Sequence, residues 1–270
     1  MRIKIILAAA IIGLAAAGVT AVVFTVFGEL GPTRLLVSLG VMLAAAGVVL
    51  VGVFDRRSPV FGGILWRGPA RARAISITFD DGPNEPYTSG VLDILKALDV
   101  KAAFFMVGEN VEAFPDAARR VAEEGHEIGN HGYDHTVLPL RSRAHIRNQI
   151  ARTTALLERT AGVKPIFFRA PHGWRNPWMN RAARDEGCTP VAWTLGVWDT
   201  DRPGADQIVK RTLRGLSNGC ILLLHDGRGT EHGTDSGQLV EALPAIIRGA
   251  REAGYRIVTL SEMAKEARNR

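Results

Sequence analysis

Two histidines, His131 and His135, stand four positions apart in one short segment, and two adjacent aspartates, Asp80 and Asp81, stand well upstream of them. Two imidazoles and one carboxylate make a metal site with open positions. Such a site suits zinc acting as a Lewis acid on water or on a carbonyl. The same donors describe ferrous oxygenase sites, so both metals stay open on the residues alone. The segment is not an HExxH zincin, because Gly132-Tyr133-Asp134 lies between the histidines. Nor is Asp80-Asp81 an Asp-x-Asp of aspartyl-phosphate type. Neighbouring side chains at a strand end diverge, so one aspartate can bind metal while the other serves as a base. Further candidates are Arg169, the pair Asp199 and Asp201, and His225-Asp226. Each alone has an ordinary explanation, a cap or turn for an aspartate and a satisfied side chain for a histidine. Their placement together is what argues for function.

That placement comes from the elements. Short β-branched runs alternate with helical periodicity from Arg73 onward. The expected strands are 74–79, 102–107, 126–130, 166–169, 190–194, 220–225 and 255–260. The expected helices are 89–98, 116–124, 142–161, 177–186, 205–216 and 239–253. Alternation of this kind predicts parallel strands with helical crossovers. No GxGxxG or Walker sequence follows the first strand, which favours a barrel over a doubly wound sheet. The five polar clusters then fall at the C-terminal ends of strands, where barrels carry their chemistry.

At these residues the sequence resembles the polysaccharide deacetylases, the chitooligosaccharide deacetylase (NodB-homology) domain of carbohydrate esterase family 4. Thr78-Phe79-Asp80-Asp81-Gly82-Pro83 is similar to the first family motif, and Gly129-Asn130-His131 through His135 to the second. Phe168-Arg169-Ala170-Pro171-His172-Gly173 is similar to the third, and Leu222-Leu223-Leu224-His225-Asp226 to the fifth. The resemblance covers about residues 76–260. It implies a distorted (β/α)7-type barrel that removes N-acetyl groups from amino sugars with a divalent metal, zinc first and cobalt or another ion next. It also implies roles. Asp81, His131 and His135 would bind the metal, and Asp80 would be the general base, held ionised by Arg169. The backbone N–H of His172 would help to hold the oxyanion. His225 would protonate the leaving amine, and Leu223 would line the pocket for the acetyl methyl. Two positions depart from the family pattern. Gly132 stands where Ser or Thr usually braces the loop, and the fourth motif reads Trp198-Asp199-Thr200-Asp201-Arg202, which leaves Asp199, slightly favoured, and Asp201 as supporting residues.

Four of the five tryptophans lie between 174 and 198. Trp174 is a candidate for substrate contact at the pocket rim. The glycine-rich stretch 227–237 reads as a mobile surface loop. Cys188 and Cys220 precede neighbouring strands at the end away from the site, and two reduced, buried thiols are the expected state.

The first 54 residues read differently. Ile5–Phe27 and Leu35–Phe54 are uncharged stretches of 23 and 20 residues, each long enough to cross a hydrocarbon core. Gly28–Arg34 between them carries turn residues. The expected organisation is a helical hairpin anchor in residues 1–56 (about 5–27 and 35–54), a linker at 57–72 and a catalytic domain at 73–270. A cleaved signal peptide is the alternative for the first stretch. Arg2 and Lys4 before the hairpin and Arg56, Arg57, Arg67, Arg71 and Arg73 after it place both flanks in the cytoplasm if both helices are retained. With a single span the domain lies outside. Net charge is +6, with 22% charged and 47% hydrophobic residues, which excludes disorder. No Lys/Arg block of nucleic-acid type is present. The expected partners are an N-acetylated glycan and the cell membrane, with no nucleic acid and no obligate protein partner. The competing readings are a catalytically silent glycan binder and an amide hydrolase acting on a non-sugar substrate.

Overall fold

The structure is a computed structural model and describes residues 32–268. The expected first span, Ile5–Phe27, lies outside the described residues. The fold is α/β with all-parallel pairing: eight strands, in the order β5-β4-β3-β2-β1-β7-β6, with β8 joined to β1. The strands are β1 (Ala74–Gly82), β2 (Ala103–Met106), β3 (Glu127–Asn130), β4 (Phe167–Phe168), β5 (Thr189–Pro190), β6 (Leu195–Gly196), β7 (Cys220–His225) and β8 (Arg256–Ile257).

The two-residue period of β1 sorts its side chains. Ile75, Ile77 and Phe79 join the main core beneath the helices, whereas Ala74 joins the inner cluster. In β7, Cys220, Leu222 and Leu224 point to the outer core and Ile221 to the inner one. Helix α1 (Pro32–Phe54) precedes the sheet. The crossovers are α2 (Tyr87–Ala97), α3 (Gly108–Ala113), α4 (Pro115–Glu123), α5 (Arg143–Ala161), α6 (Met179–Asp185), α7 (Ala205–Gly215) and α8 (Gly237–Glu252), and α9 (Leu260–Arg268) ends the fold. In α2, Thr88, Val91, Leu92 and Leu95 form the buried stripe. Ser142 caps α5 by accepting from His145 N. Leu260 and Met263 of α9 pack with Phe105 and Ile221 in the inner cluster.

The expected single strand 190–194 is divided. β5 pairs with β4 and β6 pairs with β7, so the two ends of the sheet are two ends of one short run of chain. Pro190 lacks the N–H that a continuous ladder needs. Between the two pieces, Thr194 N donates to Ile221 O at 2.8 Å. Leu65 adds a parallel bridge to Val191 on this seam.

Among the described residues one helix is long and apolar enough to cross a membrane, Leu36–Phe54, with a mean hydropathy of 2.5. The helix begins at Pro32, so Pro32–Arg34 continue the helical run rather than the expected turn. Its last turn packs on the barrel, where Arg175 N donates to Val53 O at 3.0 Å. The chain from Ser58 to Gly63 then follows α6. Arg175 Nη1 donates to Ser58 O at 2.6 Å and Asn180 Nδ2 donates to Phe61 O at 2.7 Å.

Candidate active site

Six elements meet at the C-terminal ends of the central strands. Asp80 ends the inward-facing series of β1. Asp81 has φ 71°, and the pairing of β1 with β2 shifts register between Asp80 and Gly82. This bulge undoes the divergence expected of neighbouring strand residues. Both carboxylates turn toward one imidazole: His131 Nε2 lies 3.3 Å from Asp81 Oδ1 and 3.8 Å from Asp80 Oδ2. His135 Nε2 lies 3.0 Å from the same Asp81 oxygen.

Asp81, His131 and His135 present three ligand atoms within 4.8 Å of one another. His131 Nδ1 is 2.9 Å from the Arg169 carbonyl. A carbonyl can only accept, so Nδ1 carries the proton and Nε2 presents its lone pair to the cluster. Asp81 Oδ1 is buried, and no described residue gives it a well-formed hydrogen bond. Two imidazole nitrogens around a buried anionic oxygen fit a divalent cation of the zinc type.

The loop that carries the histidines is braced from α5. Gln149 Oε1 accepts from Tyr133 N at 2.8 Å and Asp134 N at 3.1 Å, and its Nε2 donates to Asp134 Oδ2 at 3.0 Å. Gly132 has φ 79°, a region that glycine enters without cost. Its N–H donates to Asn130 Oδ1 at 2.9 Å. The loop is thus braced by two amide side chains, Gln149 and Asn130. Gln149 escapes a motif reading, although its position on the buried stripe with Ile146, Ile150 and Thr153 marks it as a polar residue on an apolar face.

Asp80 and His225 are each held by one ionic partner. Arg169 is fully buried and donates from Nη1 to Asp80 Oδ1 at 2.6 Å and to Thr78 Oγ1 at 2.9 Å. Burial lowers the Arg169 guanidinium, and the Asp80 charge works against that effect. Asp199 is buried and grips His225 twice, accepting from its backbone N at 2.7 Å and meeting Nδ1 at 3.0 Å. Burial opposes a charged imidazole here, but Asp199, with Asp81 and Asp80 behind it, outweighs burial and pushes His225 up to about 10. Asp201 is exposed. Asp226, a candidate in the sequence with no role assigned, is buried. Thr88 Oγ1 donates to its Oδ2 at 2.6 Å, and burial pushes its carboxyl up to about 7.

The remaining candidates line the edge. His172 has φ 59°, and its ring lies 4.5 Å from that of His135. Trp174 is only 4% exposed, with its ring 5.5 Å from His172 and 5.5 Å from Phe54 of α1. It sits beneath the edge, whereas Trp198 is 57% exposed. Leu223 is buried opposite Gly196 in the β6–β7 register. The stretch 227–237, read as a mobile loop, is tied down. Asn110 Nδ2 donates to both Asp81 O and Gly229 O, and Gly229 lies so near His135 that an added Cβ would meet Nδ1 at 3.1 Å. Cys188 and Cys220 are free and buried, and burial pushes their thiols up to about 11 and about 12.

Residues 67–191 match the family described as Polysaccharide deacetylase. The chain is 36% identical over 209 residues to a peptidoglycan-N-acetylglucosamine deacetylase of Bacillus cereus, covering 76% of this chain and 94% of that protein. The solved structure of the Bc1960 peptidoglycan N-acetylglucosamine deacetylase superposes with a TM-score of 0.70 at 36% identity, covering 74% of this chain and 92% of that one. Wild-type BA3943 of Bacillus anthracis, described as a CE4 family pseudoenzyme, superposes with a TM-score of 0.69 at 28% identity, covering 77% and 70%.

Proposed function

Because the chain belongs to the polysaccharide deacetylase family, we propose that it hydrolyses N-acetyl groups on the amino sugars of a glycan, releasing acetate and leaving a free amine. One juxtaposition supports this reading above all. The bulge at Asp81 sets a two-histidine, one-carboxylate ligand set beside a second carboxylate that is already paired with a buried arginine.

Asp81, His131 and His135 would hold a divalent cation, zinc in our reading with cobalt as a substitute. When bound, it supplies a Lewis acid for the attacking water and the acetamide oxygen. Arg169 occupies Asp80 Oδ1, so Oδ2 is the oxygen left to take the proton of the water. Asp199 fixes His225 through Nδ1, so Nε2 is the nitrogen that gives its proton to the leaving amine. The backbone N–H of His172 supports the oxyanion. Leu223 bounds the space for the acetyl methyl, and Trp174 supports the substrate side through His172.

The substrate in this reading is a poly- or oligosaccharide containing N-acetylated amino sugars, in peptidoglycan or in a lipid-linked glycan. Residues 1–56 anchor the chain as a hairpin in the cell membrane, 57–72 join it to the catalytic domain at 73–270, and the arginines flanking the hairpin favour a cytoplasmic domain. A cytoplasmic domain meets soluble sugars or glycans at the inner leaflet. Protease cleavage of the domain in intact spheroplasts would reject that orientation.

The test is acetate release from N-acetylglucosamine oligomers by the full chain in detergent, with zinc or cobalt, beside Asp80→Asn. Release that a chelator abolishes, that metal restores and that the variant lacks is the expected result. Metal binding without release would move the protein to the silent glycan-binding class, and BA3943, described as a CE4 family pseudoenzyme, is a relative without activity. Release from small amides alone would move it to non-sugar substrates.

A further inference from the structure

We propose that the catalytic rim of the barrel is seated on the bilayer that α1 enters, held there by a patch of exposed apolar and arginine side chains on anionic phospholipid headgroups. This goes beyond the deacetylase reading and does not depend on it, although it does rest on α1 as a membrane helix.

The first ground is that α1 has no slack. Gly52 and Val53 are buried against the domain, with the side chains of Val60 and Phe61 against Gly52. Phe54 meets Trp174 edge-on at 5.5 Å. Arg175, which is buried, fastens three carbonyls after the helix (Asp55, Ser58 and Gly62) while its own N–H holds Val53 O. A tether free to swing would leave these carbonyls to water. The last turn of the helix is instead packed against the loop that carries His172.

The second ground is what surrounds that exit. Val60 is 43% exposed, Leu140 66% and Trp178 49%. Hydrogen bonds gather their three segments in one place. Asn176 Nδ2 donates to Leu138 O and Pro139 O at 3.1 Å each, Trp178 N donates to Asn176 Oδ1 at 2.8 Å, and Asn180 Nδ2 donates to Phe61 O. Arg57, Arg141, Arg143 and Arg181 are exposed on the same segments. The stretches 56–63, 136–147 and 171–184 contain no aspartate or glutamate. Exposed tryptophan and aliphatic side chains among arginines that outnumber the flanking acids Asp55 and Asp185, continuous with a membrane-spanning helix, match the interfacial zone of an anionic bilayer. A soluble protein partner would not explain why the patch adjoins the end of an apolar helix long enough to cross a membrane.

The experiment uses the full chain in nanodiscs of phosphatidylcholine and phosphatidylglycerol. Val60→Cys, Leu140→Cys and, at the opposite end of the barrel, Glu252→Cys are each labelled with a small fluorophore. The unlabelled background is low because Cys188 and Cys220 are buried. Headgroup nitroxide lipids are expected to quench the labels at 60 and 140 several-fold more than the label at 252. That excess should shrink when phosphatidylglycerol is omitted or when Arg57 and Arg141 are changed to Glu. Equal quenching at all three positions would overturn the proposal. So would protection of positions 60 and 140 that tracks protein concentration rather than lipid, since that identifies a second copy as the occupant. The readout involves no turnover, so loss of the deacetylase reading would leave it standing.

Discussion

Asp199 decides which proton His225 can give away. Its carboxylate, with those of Asp81 and Asp80, pushes His225 up to about 10, so the imidazole keeps its proton through the neutral range and the basic limb of activity is expected where pH rises through that value. Asp199→Asn removes the largest raising charge and leaves only Asp81 and Asp80 to oppose burial. The basic limb of the kcat/KM profile should therefore move to lower pH while the acidic limb stays in place. At Asp80 the expectation is different. Asp80→Asn keeps the ligand set, so metal titration should be unchanged while kcat falls by roughly 10²- to 10⁴-fold, the usual contribution of a general base. These residues were legible in the sequence as types at strand ends. Asp199 was favoured over Asp201 only slightly, because two aspartates two positions apart differ only in how a short 3-10 turn aims them. The gathering of Asp80 and Asp81 at one imidazole was hidden for a related reason. Strand alternation separates neighbours, and nothing in the residue types announces a bulge.

Among the elements, the loop from His131 to His135 carries most of the burden of holding the ligands. Gln149→Ala would leave the N–H groups of Tyr133 and Asp134 without an acceptor. The expected loss is about 1–3 kcal/mol in unfolding free energy, with metal affinity weakened by roughly tenfold or more in a metal titration. Gly132→Ala has room, since a Cβ would meet nothing nearer than Pro171 Cγ at 3.6 Å. Its positive φ should nevertheless cost about 1 kcal/mol, read as a lower Tm. The strands 74–79, 126–130 and 220–225 were legible because apolar runs ended in polar clusters. Helix α3 was missed because six residues, Gly108–Ala113, are too few to show a period. The seam between β5 and β6 was missed because sheet closure depends on partners distant in sequence, and Pro190 within an apolar run gave only a weak sign of a break.

For the molecule as a whole, the connection between α1 and the barrel is a structural joint. Phe54→Ala in the full chain should cost about 1 kcal/mol through the lost contact with Trp174. It should also lower kcat for oligosaccharides more than it raises KM, because the loop whose N–H supports the oxyanion loses its own support while the ligands and the base do not. The apolar character of Leu35–Phe54 was plain in the sequence. Its docking was not, because Arg175 and Asn180 look like ordinary surface residues until their carbonyl partners are known. A joint without play turns the chain into a ruler. With α1 in a bilayer, as proposed above, Asp81, His131 and His135 would stand at a constant height above the lipid, so the sugar units within reach would be those at that height, and units farther along a polymer would be out of range however abundant they are. Catalysis then becomes a two-dimensional problem. On a lipid-linked glycan its velocity would follow the mole fraction of substrate among the lipids and the speed of lateral diffusion, and dilution of the aqueous phase would leave it unchanged.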